Sequence, residues 1–354
     1  MSSINLKNLS MTVFGESHGK MIGGVISGIP AGFEINLDKI KKDMERRKPG
    51  RDNLSTTRKE SDEFEIVSGL LDGYTTGAPI CVLIKNSDTH SSDYSDIKNK
   101  PRPSHSDYTA YLKYNGYNDI RGGGHFSGRL TAPIVCLGNI CKQILEAEGI
   151  KICGHIYRVK DIYDKSLLTA NESEINNLFE SEYPYIENIK DDIEKLICDA
   201  KANEDSLGGI VECVVFNMKK GIGGPLFDGL EGKLANLIYA IPAVKGVEFG
   251  LGLEFANSFA SEVNDCYEIK NGEIRTITNN NGGILGGITN GEPIILRAAF
   301  KPTPSISKEQ RTVDVKNMEN TTLKIKGRHD PIIALRAVPV VENMLAFGIL
   351  DSIL

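Results

Sequence analysis

Gly23-Gly24-Val25-Ile26-Ser27-Gly28-Ile29, close to the start of the chain, is echoed far downstream by Gly282-Gly283-Ile284-Leu285-Gly286-Gly287-Ile288. Each segment sets an aliphatic pair between glycines, the pattern of a strand that another backbone approaches closely. Two readings of the echo stand. The segments are pseudo-symmetric strand partners in one α+β fold, or they are a chance similarity in a chain where 36 of 354 residues are glycine, against a usual share of about 7%.

Outward from the first segment, residues 37–47 have helical spacing, with Asn36 as cap and Pro49-Gly50 as stop. Residues 50–63 are polar and read as a loop. Glu65 to Ser68 and Ile80 to Ile84 read as strands. Residues 86–108, rich in Ser, Asp, Lys and Pro, form a loop of the length that functional loops reach. Residues 131–148 are an amphipathic helix ended by Gly149, and the charged stretch 160–205 holds surface helices. Strands are expected at 210–216, 247–253, 282–288 and 294–299, and a helix at 230–240. Residues 331–354 close the chain as a helix or a strand and helix.

Apolar residues make up 40% of the chain and charged residues 25%, a folded composition and not a disordered one. With 41 Lys and Arg against 47 Asp and Glu, the net charge is -6. A general nucleic-acid coat is excluded, and an anionic ligand has to be met by a local basic cluster. The seven cysteines show no CxxC spacing, so buried free thiols are expected and not a disulfide frame or a zinc site. No apolar run approaches the ~18 residues of a membrane span. No basic segment followed by an apolar one marks a secretory signal. A cytoplasmic protein without membrane contact is expected.

Four of the six histidines lie among Gly, Ser, Arg and Asp, in loops where sites concentrate: His18, His105, His125 and His329. His90 and His155 lack that context and read as surface or core residues. No metal-ligand spacing appears. Gly15-Glu16-Ser17-His18-Gly19 matches the G-x-S-x-G elbow of serine hydrolases, which needs a strand before it and a sheet to carry it. Lys41 to Lys59 carries eight cations against three anions. A solvated helix face explains such a run, but this one continues past Pro49-Gly50, where arginine suits phosphate or carboxylate. Arg121-Gly122-Gly123-Gly124-His125-Phe126-Ser127-Gly128-Arg129 exposes successive backbone N–H groups ahead of a helix, an anion cradle. Lys301-Pro302-Thr303-Pro304-Ser305 is a stiff polar loop after a strand, and Arg328-His329-Asp330 sets a cation, a proton carrier and a carboxylate side by side. Together they describe a site for a polyanionic small molecule, without choosing the reaction.

In order along the chain, these motifs resemble the chorismate synthase family from about residue 10 to the C-terminus. The anchors are Phe14 to Gly19, Asp93-Tyr94-Ser95, Arg102-Pro103 with His105, Asp107 and Tyr108, Arg121 to Gly124, Gly282 to Ile288, Lys301-Pro302-Thr303, Gly327 to Pro331, and Arg336-Ala337-Val338-Pro339. The resemblance implies an α+β fold, a single large β-α sandwich domain over 1–354 with helices between antiparallel sheet layers. It implies 1,4-anti elimination of phosphate from 5-enolpyruvylshikimate 3-phosphate to give chorismate, with reduced FMN and no net redox change. It places His18 where the reduced flavin is protonated, His105 beside the phosphate, and Asp330 near flavin N5, assisting removal of the C6 proton. Arg47, with Arg46, Arg51, Arg58 and Arg129, would meet the substrate's anions. FMN contacts would fall on His125, Phe126, Ser127, Pro242, Ala243, Gly286, Lys301, Pro302, Thr303, Pro304, Ser305 and Arg328. Ser17 would be a neighbour of the site. A homotetramer and an external flavin reductant are implied as well.

The departures from the family pattern are local. The common Gly-Gly-Gly-Arg-Ser-Ser-Ala-Arg-Glu-Thr reads Gly122-Gly123-Gly124-His125-Phe126-Ser127-Gly128-Arg129-Leu130-Thr131 here, and a frequent arginine appears as Asn53, with Arg51 two residues away. Ser104 and Ser106 flank His105 where Gly and Ala are common, and Pro304 stands for a serine. These changes keep open a non-catalytic flavin or anion-binding relative, beside the serine hydrolase reading.

Overall fold

The structure, a computed structural model, describes residues 2–50, 60–86, 99–181, 184–187, 189–325 and 330–354. The amphipathic stretch after Asn36 forms the first helix, Leu37–Arg47, and the Asn36 side chain accepts hydrogen bonds from the backbone N–H groups of Asp38 (2.8 Å) and Lys39 (3.4 Å). Two longer helices follow the same logic with broader apolar faces. The central helix, Thr131–Ala147, and the C-terminal helix, Ala334–Ile353, are buried along most of their length. A helix apolar nearly all round needs cover on several sides, and two sheets provide it.

The N-terminal sheet runs, in spatial order, Ser3–Asn5, Ser10–Gly15, Met21–Ser27, Ile80–Lys85 and Phe64–Ser68, every pair antiparallel. The C-terminal sheet runs Val244–Phe249, Ile294–Phe300, Gly209–Phe216, Lys151–Val159 and Ile162–Tyr163, again antiparallel throughout. Ile22, Ile26, Ile80 and Ile84 are fully buried under the N-terminal sheet, each contributing about 1.5–3 kcal/mol of transfer free energy. The central helix lies on this sheet, with Leu137 and Pro133 against Gly24. The C-terminal helix lies on the other sheet, with Val338 against Gly154. The helices meet at Gly138, where a Cβ would stand 2.7 Å from the Asn343 Cβ and closer still to the Asn343 carbonyl. One buried apolar cluster extends from Leu9 to Leu350 through all four layers. The layered antiparallel α+β arrangement is the one the resemblance implies.

A polar network crosses this interior. Glu342 accepts two hydrogen bonds from Arg46, one from Lys142 (each 2.8 Å) and one from the backbone N–H of Gly154 (2.9 Å). Asp43 receives Arg46, Asn139 and Asn343. Burial alone would raise the Glu342 carboxyl, but the charges of Arg46 and Lys142 outweigh it and hold it below the usual range. Arg46, expected in the substrate cluster, has its guanidinium contacts to Glu342 and Asp43 within this network.

His155 is a core residue, as expected. Its Nδ1 lies 2.9 Å from Asp164 and its Nε2 2.9 Å from Glu212, which also receives Arg297 at 2.9 Å. Burial lowers its proton affinity, but the two carboxylates outweigh burial and raise it. Cys136, Cys141, Cys153 and Cys213 are buried, Cys81 is half-buried, and Cys198 and Cys266 are exposed, all as free thiols.

Two expected strands differ. The strand read at 247–253 spans Val244–Phe249, and Gly252–Asn257 is a 3₁₀ helix. The echo is not a symmetry. Gly23 to Ser27 sit inside one long strand, whereas Ile284–Leu285 and Ile288–Thr289 form a hairpin. Gly286 and Gly287 both take positive φ (62° and 84°) at its two-residue turn, the geometry such turns require. Among the described residues, no helix is long and apolar enough to cross a membrane.

Candidate active site

The strand Ser10–Gly15 ends in a turn that carries Ser17 and His18 before the next strand begins at Met21. Ser17 is fully buried and pinned: its N–H reaches the Gly124 carbonyl (3.2 Å), and its Oγ contacts the Arg121 carbonyl (3.2 Å) and His18 Nδ1 (2.9 Å). The segment is strand, turn, strand, so the serine elbow, which aims an exposed Oγ from a strand-to-helix turn, is absent. The serine hydrolase reading falls with it.

Gly122, Gly123 and Gly124 have φ of 60°, 92° and 54°, a conformation open to glycine. Their missing side chains make room for two histidines. A Cβ on Gly122 would lie 2.5 Å from Ser17 Oγ and nearer still to the His18 ring, and one on Gly123 would lie 3.3 Å from both Cε1 and Nε2 of His105. His18 and His105, far apart in sequence, therefore pack on adjacent residues of one turn.

His105 is oriented from behind. Its Nδ1 is 2.7 Å from Asp107, whose carboxylate also accepts the backbone N–H (3.0 Å), Nε (2.7 Å) and Nη2 (2.8 Å) of Arg102. Burial would raise the Asp107 carboxyl, but the Arg102 and His105 hydrogen bonds outweigh burial and hold it well below the usual range. An ionised carboxylate only accepts, so Nδ1 carries the proton and Nε2, on the Gly123 side, is the basic nitrogen. Burial, with Arg102 and Lys301 nearby, outweighs the Asp107 effect and lowers the proton affinity of His105.

Arg102 is buried and continues to Ser305 Oγ at 3.2 Å. Lys301 donates to the Ser104 carbonyl, and its own N–H reaches the carbonyl of Ala243 (3.0 Å). Ala243 has φ of 73°. Ser206 Oγ donates to the Thr303 carbonyl (2.7 Å), Pro302 packs on Gly208, and Leu207 N–H reaches the Pro331 carbonyl (2.7 Å). Pro304 turns back to accept from Ile306 (3.1 Å). Asp330, buried beside Pro331, lies 2.8 Å from Arg336 Nη2. This chain of contacts links His18, His105, the 301–305 loop, Ala243 and Asp330 around one end of the sandwich.

A buried ionic cluster adjoins it. Arg47, on the last turn of the first helix, contacts Thr131 Oγ1 (3.3 Å) and Asp62. Arg129 contacts Asp62, Asn86 (3.1 Å) and the Lys85 carbonyl (3.1 Å), with Glu60 at 3.6 Å. Ser127 caps this segment by accepting the Arg129 N–H at 3.3 Å. The rings of His125 and Phe126 lie with centroids 4.2 Å apart, tilted by 33°, and His125 Nε2 reaches the Tyr114 hydroxyl at 3.2 Å.

Gly286 is not brought to this end. Its hairpin starts beside Ile295, whereas Lys301 follows the opposite end of the same strand, which is roughly 20 Å long at about 3.3 Å per residue. Arg51, Arg58 and Arg328, with His90, His329 and the 87–98 part of the long loop, lie outside the described residues. Sequence motifs alone assign Arg102 no role; its spacing to Asp107 is the signal that could have done so. Asp62 and Glu60 read as ordinary loop charges.

Among the described residues, no group of His, Cys, Asp and Glu could hold a metal ion. Two orphaned buried atoms fit a polyanionic cofactor and substrate: Arg47 Nε and Thr303 Oγ1 have no hydrogen-bond partner among the described residues.

Comparison with known proteins identifies the family. A family model described as chorismate synthase matches residues 9–354. Chorismate synthase from Pyrococcus abyssi (strain GE5 / Orsay) is 51% identical over 346 residues, covering 98% of this chain and 96% of that protein. The Thermococcus kodakarensis protein of the same name is 47% identical over 354 residues, with the same coverage of each. A solved structure titled "Crystal Structure of Chorismate Synthase" superimposes with a TM-score of 0.76 at 29% identity, covering 98% of this chain and 92% of that one. With a match that spans nearly every residue, the chain belongs to the chorismate synthase family.

Proposed function

We propose that this chain converts 5-enolpyruvylshikimate 3-phosphate to chorismate and phosphate by 1,4-anti elimination, with reduced FMN as cofactor. The observation that carries the reading is the convergence of His18 and His105 on the Gly122-Gly123 turn, together with the buried Arg47, whose Nε has no hydrogen-bond partner among the described residues. Reduced FMN, when bound, supplies electron density for loss of the allylic phosphate and takes it back as the C6 hydrogen leaves, so no net electrons are consumed.

The protein's own groups bind, orient and move protons. Lys301, Pro302, Thr303, Pro304 and Ser305, with Pro242, Ala243, His125, Phe126, Ser127 and Arg328, would hold the flavin; Thr303 Oγ1 and Lys301 Nζ are suited donors. Arg47 and Arg129, with Arg51 and Arg58, would meet the substrate's two carboxylates and its phosphate. A phosphate seated beside His105 adds negative charge and raises the ring's proton affinity, so Nε2 can take a proton and pass it to the departing group. His18 would serve a protonation at the flavin, and Asp330 the removal of the C6 proton. Family membership alone supports a homotetramer in the cytoplasm, one domain over 1–354 and a separate flavin reductant.

The test is one anaerobic assay with purified protein, 5-enolpyruvylshikimate 3-phosphate and dithionite-reduced FMN. Chorismate and phosphate should appear in equal amounts, and neither with oxidised FMN. Flavin binding without product would favour a non-catalytic relative and shift attention to His125 and Phe126. In the same assay, Gly122→Ala should lower turnover about 100-fold, because the methyl displaces His18 from its seat. The circular dichroism spectrum should not change; wild-type turnover would show that His18 does not need that seat.

A further inference from the structure

We propose that Asp62 is a positioning residue for substrate binding, one carboxylate that holds the guanidiniums of Arg47 and Arg129 in a fixed relative orientation. This rests on the reading above, in which those two arginines receive the substrate's anions.

The geometry is specific. Oδ2 of Asp62 faces Nη2 of Arg47, and Oδ1 faces Nη1 of Arg129, so each oxygen serves a different arginine. The arginines come from separate elements, the end of the first helix and the 3₁₀ turn Gly128–Leu130 before the central helix. Their side chains are 3% and 4% exposed, and that of Asp62 is 2% exposed. Two cations brought together that far from water repel each other unless an anion lies between them. Asp62 supplies it, and Glu60, 3.6 Å from Arg129, balances the second charge. Asp62 holds φ of 53°, a conformation that aspartate adopts more readily than most residues.

The clamp also decides which donors remain. Arg47 spends Nη1 on Thr131 and Nη2 on Asp62, and its buried Nε has no partner among the described residues. Arg129 is held at Nε by Asn86, at Nη2 by the Lys85 carbonyl and at Nη1 by Asp62. Both groups are thus fixed before the substrate arrives, and the ordering cost of binding falls accordingly.

Steady-state kinetics under anaerobic conditions with reduced FMN test the proposal on wild type, Asp62→Asn and Asp62→Glu. Asp62→Asn should raise the KM for 5-enolpyruvylshikimate 3-phosphate about tenfold. The kcat and the FMN affinity, read by flavin fluorescence, should stay within about twofold, the signature of lost uniform binding. Asp62→Glu, which keeps the charge on a longer arm, should return KM to about two- to threefold above wild type. A lowered melting temperature with unchanged KM would mean a structural role only and would overturn the proposal. A lowered KM would mean that Asp62 occupies the substrate's place, and would overturn it as well. If Asp62→Asn does not fold, Asp62→Ser takes its place, and a wild-type KM in that uncharged variant overturns the proposal. Wild-type protein that gives no chorismate would instead sink the functional reading, and the proposal with it.

Discussion

Asp330→Asn is expected to lower turnover by about 10²–10⁴-fold, the range that one positioned acid or base contributes, while FMN still binds. Asp330 is buried and sits 2.8 Å from Arg336, whose side chain is 25% exposed. Asparagine has the same shape and keeps an oxygen for Arg336, so packing around Pro331 and Ile332 should survive. What it loses is the negative charge and the capacity to take a proton. The loss should appear in kcat and kcat/KM together, because the interaction belongs to the transition state. Single-turnover formation of chorismate in protein preloaded with reduced FMN is the clean measurement. Unchanged turnover would remove Asp330 from the mechanism, and loss of FMN binding would reassign it to the cofactor.

Glu342→Ala is expected to destabilise the fold by about 3–5 kcal/mol, the usual cost of removing one partner from a buried ionic group. Glu342 is 1% exposed and receives Arg46, Lys142 and the Gly154 N–H. Without it, Lys142 and Arg46 keep only Asp43 as an anion among the described residues. Urea unfolding at pH 7 would show the difference as a lower midpoint with the same slope. The pH dependence has a definite sign. The Glu342 carboxyl titrates lower in the folded protein than in the unfolded chain, so its contribution is full above the unfolded value. It fades as pH falls toward the folded value. The gap between wild type and variant should therefore narrow in acid; a midpoint unchanged by the substitution would mean that the network is energetically neutral.

The helices were legible because their physics is local. Asn36 and Pro49-Gly50 mark both ends of Leu37–Arg47, and the apolar spacing of Thr131–Ala147 needs no distant information. The glycine clusters were less legible, since the same letters serve a long strand at Gly23 and a hairpin turn at Gly286. Which one forms depends on what pairs alongside. In the site, His18 and His105 stood out by their glycine-rich surroundings. Arg46 and Arg47 are neighbours in sequence but point about 100° apart on the helix, one into the interior network and one toward Asp62. Only the packing of that helix decides which arginine is left for a ligand. Asp62 was invisible for the same reason, because its partners lie 15 and 67 positions away.

The Glu342 network has a mechanical consequence. Its donors come from the first helix, the central helix and a strand of the C-terminal sheet, while Glu342 itself belongs to the C-terminal helix. Such a junction acts as a rivet through the stack. Sliding one layer past another by even a fraction of a helical turn would pull charged groups out of register where no water can replace them. Sliding of the C-terminal sheet and the three helices past one another is therefore resisted. His18 hangs from the N-terminal sheet, and Lys301 and Asp330 lie at the end of the C-terminal one. The distance between those two sets is held by the middle of the sandwich, and adjustment to a ligand falls to side chains and connecting segments at its end.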